Sequence, residues 1–267
     1  MIFALPLYDD NPIERAPLAT CFLIGLCTGA YLWELGQNQH AVFFSYGMIP
    51  SVLFGSARLA PELSRIAPWA TIFTSMFLHG SWWHLIGNMI FLWIFGNNVE
   101  DVLGRVRYLL LYFASGIAAA LTQALSNPAS QVPMIGASGA IAGVLGAYLL
   151  LYPRANVHVF VWIIIFFRIF TVPAWILLSL WFGMQLLSGF GSAQTGAGIA
   201  FWAHVGGFLS GLLLLFLLRP SGVGLLQPAR SRGFSSARPS DFAGRATFHR
   251  GSVPLSGPGL PPQGPWG

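Results

Sequence analysis

Among the few polar side chains inside the long apolar stretches of this chain are His84, Asn88, Ser138 and His204. A hydroxyl becomes a useful nucleophile when a neighbouring base takes its proton, and imidazole is the side chain that most often does so. Ser138, within Gly136-Ala137-Ser138-Gly139-Ala140, and His204, within Ala203-His204-Val205-Gly206-Gly207, therefore form a candidate dyad. His84 and Asn88 are four residues apart, one turn along the same helix face. Their N–H groups, with the Ser138 backbone N–H at a helix start, are suited to an oxygen that gains negative charge. Such a set fits acyl transfer: the imidazole takes the serine proton, then gives it to a leaving amine. No Asp or Glu lies between Asp101 and Asp241, so these stretches offer no buried acid to orient the imidazole.

Each group also has a structural reading. A Gly-Ala-Ser-Gly-Ala run is common packing surface between membrane helices, and a single intramembrane histidine often serves as a hydrogen-bonded structural group. His79 and His158 read as interfacial residues of that kind. A metal site of His79, His84 and His204 is a further alternative, disfavoured because no thiol or carboxylate is near to complete it. The choice turns on whether the elements that carry the four residues bring them together.

Of the 267 residues, 55% are hydrophobic and 8% charged, against roughly 25% charged in a soluble domain. A soluble globule is excluded. Six stretches meet or approach the about 20 apolar residues needed to span a bilayer. They are 17–35, 82–97, 105–125, 138–152, 172–189 and 199–218, and they predict an all-α polytopic membrane protein. The first starts too late and runs too long for a cleaved signal peptide. Both cysteines, Cys21 and Cys27, lie in it, so a disulfide framework or metal knuckle is excluded by count.

The 13 basic residues are all arginine. Arg219, Arg230, Arg232, Arg238, Arg245 and Arg250 follow the last span with only Asp241 against them, which points to a tail on the cytoplasmic face and not to nucleic acid. With the N-terminus inside, Arg15, Arg105, Arg107, Arg154 and Arg168 join them, and Arg58 and Arg65 are left outside. A seventh span at 157–170 would reverse that bias, so this stretch reads as an interfacial or partly buried inner segment. The chain then divides into a cytoplasmic segment at 1–16, a membrane domain at 17–219 and a disordered cytoplasmic tail rich in Arg, Gly, Pro and Ser at 220–267. Within the membrane domain, 36–81 forms an apolar, proline-broken outer loop. No internal repeat is present, which weighs against an inverted-repeat transporter.

Six spans start the second, fourth and sixth helices at the outer face, and each of the four polar residues falls in the outer half of its helix. They converge at one depth. The fourth helix, roughly 20 to 22 Å long against a core of about 30 Å, sets Ser138 several Å below the outer surface. Gly139 and Gly143 on the fourth helix, and Gly207 and Gly211 on the sixth, allow the close approach that a short serine side chain needs.

Four motifs, His84-Leu-Ile-Gly-Asn88, Glu100-Asp101-Val-Leu-Gly104-Arg-Val-Arg107-Tyr108, Gly136-Ala-Ser138-Gly139 and Ala203-His204-Val-Gly-Gly207, together resemble the rhomboid intramembrane serine proteases over 68–219. The resemblance implies a six-transmembrane-helix bundle, Ser138 as nucleophile, His204 as base, and His84 with Asn88 in the oxyanion hole. It implies no metal or cofactor, and substrates that are transmembrane or juxtamembrane segments cut near the outer leaflet of a bacterial inner membrane. Lateral entry between the second and fifth helices makes Trp175, Trp181 and Phe182 a candidate gate. Two features depart from some family members. The position one turn after the serine is Ala142 where a tyrosine can pack on the catalytic imidazole, so another side chain must hold the His204 ring. The Trp-Arg pair of the first outer loop has no counterpart. The rival readings are an inactive rhomboid-like protein that binds membrane segments and a small-solute transporter; the complete motif set opposes the first, and the lack of paired broken helices and intramembrane charges opposes the second.

Overall fold

The structure is a computed structural model, described here for residues 2–163, 166–192 and 200–229. Its long helices are α1 (Leu18–Leu35), α5 (Trp82–Leu103), α6 (Arg105–Ser126), α7 (Ser138–Leu151), α8 (Ala174–Ser192) and α9 (Phe201–Leu218). Between α1 and α5, the prolines at 50, 61 and 68 break the chain into α2 (Gln39–Tyr46), α3 (Pro50–Leu53) and α4 (Thr71–Thr74), with a long irregular connection, 54–70, between the last two. By length and composition α1, α6, α8 and α9 can each cross a membrane; α7 is apolar but shorter. The protein is a mostly helical, multi-pass membrane protein.

Helix α5 runs six residues beyond the predicted end at 97, and its last turns carry Glu100 and Asp101, both buried. Their carboxylates answer a need elsewhere. Helix α1 starts after Pro17 with no side-chain cap of its own, and its first N–H groups have no intrahelical acceptor. Glu100 accepts from the N–H groups of Ala19 and Thr20 at 2.9 and 2.7 Å and from the Thr20 hydroxyl at 2.8 Å. Asp101 accepts from the N–H groups of Glu14 and Arg15. Two carboxylate side chains thus sit at the positive end of α1. At Gly104, φ is +74°, a conformation that lets α6 begin one residue after α5 ends.

The all-α expectation is corrected by a three-stranded antiparallel sheet in the order β1 (Ile2–Asp9), β2 (Asn156–Ile163) and β3 (Phe166–Pro173). The segment at 157–170 is therefore most of a β-hairpin, and the segment at 1–16 supplies its partner strand, with Leu5 opposite Phe160 and Val161 opposite Arg168. Its β-branched and aromatic run, Val157-His158-Val159-Phe160-Val161-Trp162, suits a pleated surface. Residues 220–229 are held, with the N–H groups of Leu226 and Gln227 donating to the carbonyls of Leu150 and Leu151; positions from 230 onward lie outside the described residues.

Helix α7 is the centre of the packing, buried from Gly139 to Tyr148 and enclosed by α5, α6 and α9. At its far end the Tyr148 hydroxyl donates to Asp9 at 2.5 Å and the Asn98 amide donates to the same carboxylate at 2.9 Å. Burial, with a contribution from the neighbouring Asp10 charge, pushes the Asp9 pKa up to about 6 against the two hydrogen bonds that favour ionisation. The folded state thus holds this proton more tightly than the unfolded chain does. Its contribution to stability is complete below about pH 4 and is lost as pH rises through 6. Thermal unfolding in detergent between pH 4.5 and 7 should show that decline, and Asp9→Asn should flatten it; an equal slope in the variant would refute the assignment.

Candidate active site

Ser138 is the first residue of α7 and His204 the fourth of α9. The His204 Nε2 and Ser138 Oγ lie 2.8 Å apart, within hydrogen-bond range. The approach depends on missing side chains. A Cβ on Gly207 would strike the Gly139 carbonyl oxygen, and one on Gly211 would strike the Gly143 backbone. The two helices therefore touch backbone to backbone. At the start of α9, the Gln123 side-chain oxygen of α6 accepts from the Ala203 N–H at 3.2 Å, which anchors the turn that carries His204.

Two groups hold the imidazole in place of the missing tyrosine, and both come from α8. The Trp181 ring packs against it at a centroid distance of 5.7 Å, and the Gln185 Oε1 lies 2.7 Å from its Nδ1. The sequence reading passed over Gln185. Its signal was an amide in an apolar stretch, one turn after Trp181.

On α5, Ser81 caps the helix by accepting from the His84 N–H at 3.1 Å. The Gly80 N–H points at His84 Nδ1 at 3.4 Å; with that nitrogen as acceptor, the proton of the neutral ring sits on Nε2. The Asn88 Nδ2 is buried with no hydrogen-bond partner among the described residues, so it too is a donor in reserve. Gly136 closes over both. Its φ is +120°, and an added Cβ would come within 2.8 Å of His84 Nε2, so conformation and space both demand glycine there. Helix α7 has no side-chain cap, which leaves its first-turn N–H groups, that of Ser138 included, without a side-chain acceptor.

A cavity of about 550 Å³ is lined by all four of these residues, His84, Asn88, Ser138 and His204, together with Trp181 and Trp83. The three candidate gate residues separate in the structure. Trp181 lines this cavity, Phe182 stacks on Phe208 at 4.5 Å, and Trp175 is exposed at the start of α8, its N–H bonded to the Pro153 carbonyl past the far end of α7. The 14 residues of α7 separate that end from Ser138 by about 20 Å. His79 is buried beside His84, with ring centroids 5.1 Å apart, and its backbone N–H donates to Glu34. His158 stacks on Tyr8 in the sheet. Among the described residues no three His, Cys, Asp or Glu side chains are grouped to hold a metal ion.

Fold and cavity define a class: a multi-pass helical membrane protein with a hydrogen-bonded serine and histidine on two closely packed helices. The Rhomboid domain family model matches residues 67–221, and the chain belongs to the rhomboid family. It is 34% identical over 149 residues to Rhomboid protein 1, mitochondrial, of Saccharomyces cerevisiae, covering 54% of this chain and 40% of that protein. Identity is 33% over 167 residues to RHOMBOID-like protein 1 of Arabidopsis thaliana, 62% of this chain and 39% of that one. With Rhomboid protease GluP of Bacillus subtilis it is 41% over 92 residues, 34% of this chain and 18% of that one. The matched part is thus two fifths or less of each of these relatives.

Proposed function

We propose that this chain is an intramembrane serine endopeptidase that cleaves transmembrane or juxtamembrane segments of other membrane proteins. The observation that carries the reading is the 2.8 Å contact between His204 Nε2 and Ser138 Oγ at the wall of a cavity that His84 and Asn88 also line. Ser138 Oγ attacks the scissile carbonyl as its proton passes to His204, and the oxyanion takes hydrogen bonds from Asn88, His84 and the Ser138 N–H. His204 then protonates the leaving amine, and water repeats the sequence to release the acyl group. No cofactor enters these steps.

We assign six spans, α1 and α5 to α9, with Ser138 toward the outer leaflet of a bacterial inner membrane and both ends of the chain cytoplasmic. The contacts of Asp9 with Tyr148 and of Leu226 and Gln227 with Leu150 and Leu151 support a common side for the two ends. The β2–β3 hairpin lies at the inner interface in this reading; Trp162, Phe166, Phe167 and Arg168 are exposed on it. Substrate enters between α5 and α8. Only 17% of α8 is buried, against 33 to 39% for α1, α6 and α9, so α8 with Trp181 and Phe182 is the wall most able to move.

The test is cleavage of a reporter transmembrane segment, weakened by Gly and Pro, by purified protein in liposomes, together with labelling by a fluorophosphonate. Cutting and stoichiometric labelling are expected. Neither cutting nor labelling would favour the inactive rhomboid-like reading. Asn88→Ala should lower kcat about 10²- to 10³-fold with KM little changed, as loss of an oxyanion donor does. Unchanged turnover would remove Asn88 from the mechanism.

A further inference from the structure

We propose that Gln185 is the positioning residue of the dyad, the neutral counterpart of the acid that these helices lack. This rests on the proposed peptidase reading. A dyad imidazole can act as base only if its serine-facing nitrogen is bare, so the single proton of the neutral ring must sit on the other nitrogen. The Gln185 Oε1 has no proton to give. Its 2.7 Å contact with Nδ1 therefore requires Nδ1–H, and that leaves Nε2 free to accept from the Ser138 hydroxyl at 2.8 Å. The opposite amide orientation would donate to Nδ1, place the proton on Nε2 and block the transfer.

The geometry around the ring leaves this task to Gln185. Ser138 of α7 faces one nitrogen and Gln185 of α8 the other; Trp181 packs against the ring, and Gln123 of α6 reaches only the Ala203 backbone. Among the described residues, His84 of α5 is the titratable group that faces His204, and no carboxylate or guanidinium accompanies it there. Gln185 and Trp181 are one turn apart on the same face of α8, so one helix supplies both the lateral support and the tautomer lock. If α8 moves aside to admit substrate, its return restores both contacts at once, which ties competence of the base to closure of the wall.

The test reads the tautomer directly. Long-range proton–nitrogen correlation on protein labelled with nitrogen-15 histidine, with His204 signals assigned by their loss in His204→Asn, should give an Nδ1–H ring in the wild type near pH 8. Gln185→Met keeps the length and loses the acceptor, and should shift the ring toward Nε2–H. Gln185→Glu keeps the acceptor and should restore Nδ1–H. In cleavage assays Gln185→Met should lose about 10²-fold in kcat with KM within a few-fold, while Gln185→Glu retains turnover and moves the acidic limb of its pH profile upward, because a carboxylate favours imidazolium. An Nε2–H ring in the wild type, or the same tautomer in wild type and Gln185→Met, would overturn the proposal. The spectrum is readable in a protein that cuts nothing, so a failure of the peptidase reading stays distinct from a failure of this one.

Discussion

Ser138→Ala is expected to reduce cleavage of a transmembrane reporter by roughly 10⁴-fold or more, to the background of the assay, and to abolish fluorophosphonate labelling. The Oγ is the atom that meets His204 Nε2, and in the proposed mechanism its loss leaves His84 and Asn88 no covalent intermediate to stabilise. The fold should survive the change. Helix α7 begins without a side-chain cap, so the hydroxyl serves no structural bond at the helix start, and its contact with His204 is worth about 1 kcal/mol of stability. Near-wild-type melting with lost turnover would separate a chemical role from a packing one. Continued cutting by Ser138→Ala would end the nucleophile assignment, and labelling at a different serine would redirect it.

The sequence carried these four residues clearly because a polar group inside an apolar stretch has few reasons to be there. The helices that bear them were legible for the same reason: α7 and α9 begin and end within a few residues of the apolar runs, and α5 begins where its run begins but continues six residues past the predicted end at 97. The sheet was hidden by distance. Strand β1 pairs with β2 across some 150 positions, and Asp10 accepts from the Asn156 side-chain amide at 2.8 Å; no local periodicity records such a partner. Glu100 and Asp101 stood out as a motif, yet the work of Glu100 as the cap of α1 depends on a helix 80 positions away, and Asp101 holds the Glu14 and Arg15 N–H groups that precede that helix. Gln185 was missed because no ionisable side chain stands a turn away from it on α8, whereas His84 drew attention to Asn88. Trp175, Trp181 and Phe182 share a helix, but their spacing spreads them around and along it, and of the three Trp181 lines the cavity.

Gly211→Ala is expected to cost roughly 3 kcal/mol, read as a fall of about 10 °C in melting temperature, and to depress kcat by about 10²-fold or more. Apolar surface gains little from leaving lipid for another helix, so α7 and α9 are held mainly by the closeness of their backbones. At Gly211 an added Cβ would lie 2.5 Å from the Gly143 Cα and would also strike the Gly143 carbonyl oxygen. Neither atom can rotate away as a flexible side chain would. Nor can α7 retreat, because Gly143 is itself pressed against Ser115 of α6. Relief must come from α9 moving outward by about 1 Å to reach ordinary contact distance. That displacement carries His204 with it and stretches a 2.8 Å bond beyond useful range. Gly183→Ala is the control, since a Cβ there meets nothing within 4 Å; it should melt like the wild type and keep its turnover. Wild-type melting and turnover in Gly211→Ala would show that the two helices are not bound by this contact, and the placement of Ser138 against His204 would then need another cause.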